Sequence, residues 1–240
     1  MSKTFSRFYT KVTIDRADDG HAIHLDGRAV KTPGTRAPLV VPTRPLAAAV
    51  AEEWRRQEET VDPNAMPQTA LACTAIDLAD RRAEITAALA AYADTDLLCH
   101  RVPAPPALAE RQQDLWQPWL DWAALTYDAR LNVTTALLPA EQPPESKQAF
   151  SAAIAGMETF PLAALSATVK ATGSLVLGLA LVTRELDPDR AFELAELEAT
   201  HEIESWGEDA EARKRREALY AELQATNRFV ALLDGDEVVA

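Results

Sequence analysis

Apolar positions recur with two periods along this chain, and the period changes early. Between residues 8 and 42 they alternate. Val12 and Ile14 interleave with Lys11, Thr13 and Asp15, as on a strand with one buried face. His21-Ala22-Ile23-His24-Leu25 alternates again, with Ile23 and Leu25 on one side. Asp18-Asp19-Gly20 and Asp26-Gly27 supply the turns. Residues 28–32, closed by Pro33-Gly34, and residues 39–41, closed by Pro42, add two short strands. Short strands joined by tight turns predict an antiparallel meander. Thr43 then caps a helix with Pro45 near its start. The apolar members of the set Leu46, Ala49, Val50, Glu53 and Trp54 would cover one side of the sheet. Asp62-Pro63-Asn64 and Met66-Pro67 end that pattern.

Beyond Pro67 the pattern predicts helices over residues 69–78, 81–91, 97–102, 108–127 and 145–157. Thr159 and Pro161 then read as the cap and first position of another. Pro103, Pro105 and Pro106 force a linker, and Pro118 marks either a kink or a true helix start. Trp116, Trp119 and Trp122, spaced by three, read more simply as core anchors than as a partner platform. Residues 131–135 read as an isolated extended link or as an edge of the first sheet. The fold class expected is therefore α+β. A small N-terminal antiparallel β-rich domain with one helix (residues 1–66) precedes a larger all-helical domain (residues 67–240).

Residues 168–212 carry the sharpest contrast. Their first half is the most apolar run in the chain, and their second half is among the most acidic. Asp187-Pro188 separates the two as an N-cap followed by a first-turn proline. On the first helix, Ala167, Ala171, Ser174 and Gly178 form a strip of small residues that would let another helix approach closely. On the second, drawn as one helix to Ala212, Phe192, Ile203 and Trp206 share a face and would fasten it. Glu193, Glu196, Glu204 and Glu211 share another, with Glu208 at its edge, and no cation follows at i+4 before Arg215. The stripe is either a solvated face or a docking surface for a cationic partner. Gly207 marks a kink or a close approach to the backbone. Residues 234–240 read as a frayed tail.

A chain of 240 residues that is 48% hydrophobic has material for a core. A net charge of −13 argues against nucleic acid and favours a basic protein surface as partner, or simply serves solubility. No apolar run reaches the length of a membrane span, and the N-terminus has no apolar signal core. Cys73 and Cys99 give neither a disulfide framework nor a metal spacing. Phosphate loop, nucleophile elbow and zinc signature are all absent, so no cofactor, metal or small-molecule substrate is expected. The remaining enzymatic reading is a carboxylate site built from Asp77, Asp94 and Asp96, for which capping and surface roles are simpler explanations. His21 and His24, three apart on a strand, face opposite sides. Adjacent Cys99 and His100 make a poor thiolate–imidazole pair.

Eight segments in order carry a resemblance: LDGRAVKTP (25–33), LAAAVAEEW (46–54), MPQTALACTAID (66–77), YADTDLLCHR (92–101), WQPWLDW (116–122), LNVT (131–134), GSLVLGLAL (173–181) and WGEDAEA (206–212). This set resembles the family of assembly chaperones that bind the alpha subunit of the catalytic F(1) head of ATP synthase. The chain departs from that family at His100, where Tyr is expected, and at Gln117, where Asp is expected. The resemblance implies a non-enzymatic chaperone that shields the alpha subunit's interface until the beta subunit replaces it. It also implies the same two-part fold and, for a bacterial member, a cytoplasmic location. An acidic residue near the family's Trp-Gly pair is implied to matter. The matching positions are Glu208, Asp209 and Glu211, with Glu211 favoured because it shares the acidic face. The expected partner site is therefore Glu204, Trp206, Gly207, Glu208, Asp209 and Glu211.

Overall fold

The computed structural model describes residues 4–236. The chain forms two compact units. The first takes Met1–Asp80, Glu158–Ala164 and Ala225–Ala240, and the second takes Arg81–Met157 and Leu165–Gln224.

In the first unit, β1 (Phe5–Ser6) pairs antiparallel with β6 (Thr60–Val61) as a separate ribbon. The main sheet holds β2 (Val12–Ala17), β3 (Gly20–Leu25), β4 (Arg28–Ala29) and β5 (Val40–Val41). The β2–β3 hairpin runs in register from Val12↔Leu25 to Ala17↔Gly20. At the next turn Asp26 and Gly27 have φ of 48° and 79°, the left-handed pair that suits a two-residue hairpin. The Asp26 carboxylate steadies that turn by accepting the Thr10 and Lys11 N–H groups. The predicted meander continues past β4, where Lys31 bridges Pro38 antiparallel and Leu39 donates its N–H to Val30, and β5 then pairs with β3 as well. The two-residue β4 leaves β3 early, and after Pro33-Gly34 the chain returns to the edge left open. α1 (Arg44–Arg55) packs on β2, β3 and β5. Its Leu46, Ala47, Val50 and Ala51 are fully buried, as are Ile23, Leu39 and Val41 of the sheet region. Tyr9 joins this core, donating its hydroxyl to the Trp54 carbonyl at 2.6 Å.

Two carboxylates tie this unit to α2 (Pro67–Asp77). Glu53 serves as the missing cap of α2, accepting the Gln68 and Thr69 N–H groups at 2.7 Å each and the Thr69 hydroxyl at 2.7 Å. At the other end, Asp77 accepts from Gly34 N and Thr35 N and from the hydroxyls of Thr32 and Thr35. A Cβ on Gly34 would lie 2.7 Å from Asp77 Oδ2, so the contact requires glycine.

The second unit is helical: α3 (Arg82–Ala90), α4 (Pro106–Tyr127), α5 (Pro144–Ala155), most of α6 (Thr159–Thr172), α7 (Leu175–Val182), α8 (Pro188–Ala195), α9 (Leu197–Trp206) and most of α10 (Ala210–Leu233). Every residue of α7 is buried. The single apolar helix that the sequence predicts is two helices. Gly173, at φ 70°, closes α6 by donating its N–H to Val169, and Ser174 caps α7. The small strip has its use at Gly178, where a Cβ would lie 2.6 Å from Val169 Cγ2 and 3.0 Å from Leu165 Cδ1. Trp116 is fully buried and donates its indole N–H to the Leu194 carbonyl at 3.0 Å. Trp119, Trp122, Tyr127 and Phe150 follow as a chain of ring contacts. Pro118 lies inside α4, whose start is Pro106. Residues 131–135 pair with neither sheet. Thr134 instead forms a parallel bridge with His100. At its end α10 closes over Gly235, at φ 88°, and residues 237–240 of the predicted frayed tail lie outside the described residues.

Candidate functional site

The predicted site residues fall where the chain passes from α9 to α10. Asp187 caps α8 through the Arg190 N–H at 2.9 Å, with Pro188 at the first position, as the sequence predicts. The single acidic helix is corrected to three pieces. α8 ends at Glu196 (φ −106°, ψ 18°), α9 ends at Gly207, and α10 starts at Ala210. The buried face is Ala191 and Leu194 on α8 and Leu197 at the start of α9. Phe192 is half-buried against the Tyr220 ring, Ile203 is half-buried, and Trp206 is 88% exposed. Trp206 thus does not fasten the helix as predicted; it stands in solvent at the helix end.

Glu196 explains why the break is stable. It is 4% exposed, and Arg215 grips both of its oxygens at 2.7 Å while Arg216 reaches Oε2 at 3.0 Å. A buried carboxylate is tolerable only with such charged, hydrogen-bonded partners. The same Arg216 approaches Glu208, which also receives Arg213 at 3.0 Å. For Glu196 the cations missing at i+4 thus come from α10, while Glu193 pairs with Arg190 of its own helix at 2.7 Å.

The remaining carboxylates divide by their work. Arg111 on α4 makes a two-pronged contact with Glu204, and these hydrogen bonds hold the Glu204 carboxyl below the usual range. Asp209 caps α10, accepting the Glu211 and Ala212 N–H groups at 2.9 and 2.8 Å. Glu211 itself is exposed, and among the described residues no ion pair involves it. Gly207 adopts φ 84° and ψ 167°, a region open to glycine alone, and a Cβ there would meet nothing within 4 Å. Its role is to turn the chain sharply out of α9, leaving Trp206 and Glu211 in solvent on either side of the turn.

Beside Trp206 a groove of about 460 Å³ opens between α9 and the segment that leads into α4. Val102, Pro105 and Leu108 form one wall; Glu198, Glu202 and Trp206 belong to the other. Buried Gln112 joins the walls, accepting the Val102 N–H at 2.8 Å and donating to Glu198 at 2.6 Å. Sequence reasoning missed this groove. The available signal was Gln112 six residues after Pro106, a polar side chain on the buried face of a helix.

The carboxylates of the enzymatic alternative have structural duties. Asp77 holds the Thr32–Thr35 turn. Asp94 pairs with Lys147 at 3.1 Å. Asp96 is fully buried, accepting from Leu98 N, Ser174 Oγ and Val176 N. Burial pushes the Cys99 thiol well above its usual range and the Cys73 thiol up to about 11, which disfavours the thiolate at both. Among the described residues no group of three or more His, Cys, Asp or Glu side chains is placed to hold a metal ion.

Comparisons with known proteins agree on one family. The model described as ATP12 chaperone protein matches residues 6–124. The chain is similar to the crystal structure of Atp12 from Paracoccus denitrificans, with 38% identity, 95% of this chain and 98% of that one covered, and a TM-score of 0.88. A protein from Agrobacterium tumefaciens matches at 36% identity over 95% of this chain and 85% of that one, also with a TM-score of 0.88. The mitochondrial atp12 protein of Schizosaccharomyces pombe is 26% identical over 226 residues, covering 86% of this chain and 76% of that protein. With more than a third of positions identical over nearly the whole of a solved Atp12 structure, the chain belongs to the ATP12 chaperone family.

Proposed function

We propose that this chain is an assembly chaperone for the catalytic head of ATP synthase. It binds the free alpha subunit and covers its interface until the beta subunit takes that place. It acts by binding alone, without a cofactor or a chemical step, in the bacterial cytoplasm where the subunits are made. The partner surface is the turn between α9 and α10, centred on Trp206, Gly207 and Glu211, with Glu204, Glu208 and Asp209 holding its shape. The observation that carries this reading is the exposure of Trp206 and Glu211 on either side of a turn fixed by a glycine-only conformation and the Asp209 cap. A large exposed aromatic is enriched at interfaces over idle surface, and Glu211, which makes no ion pair among the described residues, is free to meet a cationic partner. Family membership supplies the chaperone role, and the net charge of −13 suits a cationic partner surface.

The test is co-elution. The purified chain is mixed with isolated alpha subunit and separated by size, and beta subunit is then added. A complex that forms and is dissolved by beta supports the reading. Separate elution of chain and alpha subunit would overturn it.

A further inference from the structure

We propose that the groove beside Trp206 is an arginine-reading cleft, in which an arginine-bearing segment of the client lays its guanidinium on the Trp206 ring with Glu202 as counter-ion. This rests on the reading of the chain as a chaperone that docks through the α9–α10 turn.

Three observations carry it. The groove is built rather than incidental. Gln112 joins its two walls through hydrogen bonds of 2.8 and 2.6 Å, and the two-pronged Arg111–Glu204 contact fixes α9 against α4. Its lining is acidic on balance. Glu198 and Glu202 line it together with His201, no Lys or Arg does, and among the described residues no ion pair involves Glu202. Finally, its aromatic wall is open: Trp206 is 88% exposed, whereas Trp54 and Trp116 are 8% and 0% exposed. An open indole face, a carboxylate and an apolar wall together match the guanidinium group, which is planar, weakly hydrated and always charged. Phosphate-bearing ligands are disfavoured by the two carboxylates. A second copy of this chain is a poor occupant, because two chains that each carry a net charge of −13 repel one another. At about 460 Å³ the groove has room for one long side chain and part of its neighbour.

The test uses the full chain and the alpha subunit, titrated with wild type, Trp206→Ala, Trp206→Phe, Glu202→Gln and Glu211→Lys. Trp206 and Glu202 are exposed, so unchanged melting temperatures confirm that their variants fold. Trp206→Ala is expected to weaken binding roughly tenfold, Glu202→Gln roughly fivefold and Trp206→Phe only about twofold. Blocking the client's arginines with phenylglyoxal is expected to abolish the difference between wild type and Trp206→Ala. Should that difference survive the blocking, the occupant is not an arginine and the inference is overturned. Wild-type affinity in both Trp206→Ala and Glu202→Gln, with binding lost only in Glu211→Lys, would overturn the cleft while leaving the chaperone reading intact. No binding by any form, wild type included, would overturn both.

Discussion

Asp96 offers the clearest quantitative test of how the helical unit is held. Its carboxylate is fully buried yet accepts three hydrogen bonds, from Leu98 N at 3.0 Å, Ser174 Oγ at 2.8 Å and Val176 N at 3.1 Å. It therefore caps its own short turn and, together with Ser174, the first turn of the buried helix α7. Burial raises its carboxyl and these hydrogen bonds act in the opposite direction. In Asp96→Asn, one amide oxygen replaces Oδ1 and keeps the Leu98 and Ser174 bonds. The amide nitrogen then faces the Val176 N–H, which is left buried and unpaired at a cost of about 1–3 kcal/mol. In Asp96→Ala all three donors lose their acceptor and a small void is added. Partial relief from burying a charge offsets some of this, so the net loss is about 3–5 kcal/mol. Urea unfolding followed by far-ultraviolet circular dichroism reads both. The midpoint is expected to fall in the order wild type, Asn, Ala, with the slope unchanged. An alanine variant within about 0.5 kcal/mol of wild type would refute the reasoning, because an idle buried carboxylate would then explain Asp96 as well.

Three further outcomes are expected. Gly178→Ala should lower stability by about 1–3 kcal/mol in the same assay, because its methyl would meet the branched Val169 side chain at 2.6 Å; an unchanged midpoint would mean that α6 and α7 are not in close contact there. For Asp77, burial opposes ionisation, but hydrogen bonds from Thr32, Thr35 and Gly34 outweigh it and hold the carboxyl at about 2. Its folded value thus lies below the unfolded one of roughly 3.9, so the stability it contributes is full above that value and fades as pH falls towards 2. Asp77→Asn should flatten the loss of stability between about pH 4 and pH 2, and an unaltered acid unfolding curve would count against this. Gly207→Ala should cost about 1–3 kcal/mol through backbone strain alone, since its Cβ would meet nothing, and should weaken client binding by redirecting the turn. Full stability in that variant would show that the turn tolerates a side chain.

The sequence disclosed elements better than it disclosed their ends. The period-2 runs at Val12 and Ile23 and the Asp26-Gly27 turn led directly to the hairpins, because alternation and turn chemistry are local. Thr43 and Asp187 were legible caps for the same reason. The helix break at Gly173-Ser174 was also written locally, as a left-handed glycine followed by a serine cap, but the continuous apolar run masked it. The break at Glu196 carries no local signal at all. The side chains that hold Glu196 lie 19 and 20 residues downstream, at Arg215 and Arg216. The wheel also misplaced Trp206, which is the last residue of α9 and projects from the helix end into solvent. The turn at Gly207 and the exposure of Glu211 were legible beside the Trp-Gly pair. The groove was not, because Val102 and Glu198 approach only through Gln112.

The account centres on the turn after α9 as the client surface, and Glu211 is its most exposed claim. Glu211 makes no ion pair among the described residues, and only its backbone N–H serves the Asp209 cap, so Glu211→Lys leaves the fold's known contacts in place. The decisive measurement is calorimetric titration of purified alpha subunit with wild-type chain and with Glu211→Lys, each checked for an unchanged melting temperature. The account expects Glu211→Lys to bind at least about tenfold more weakly, a difference that shrinks at high salt as screening removes the repulsion. Equal affinity for the alpha subunit, from a variant that melts with wild type, would contradict it.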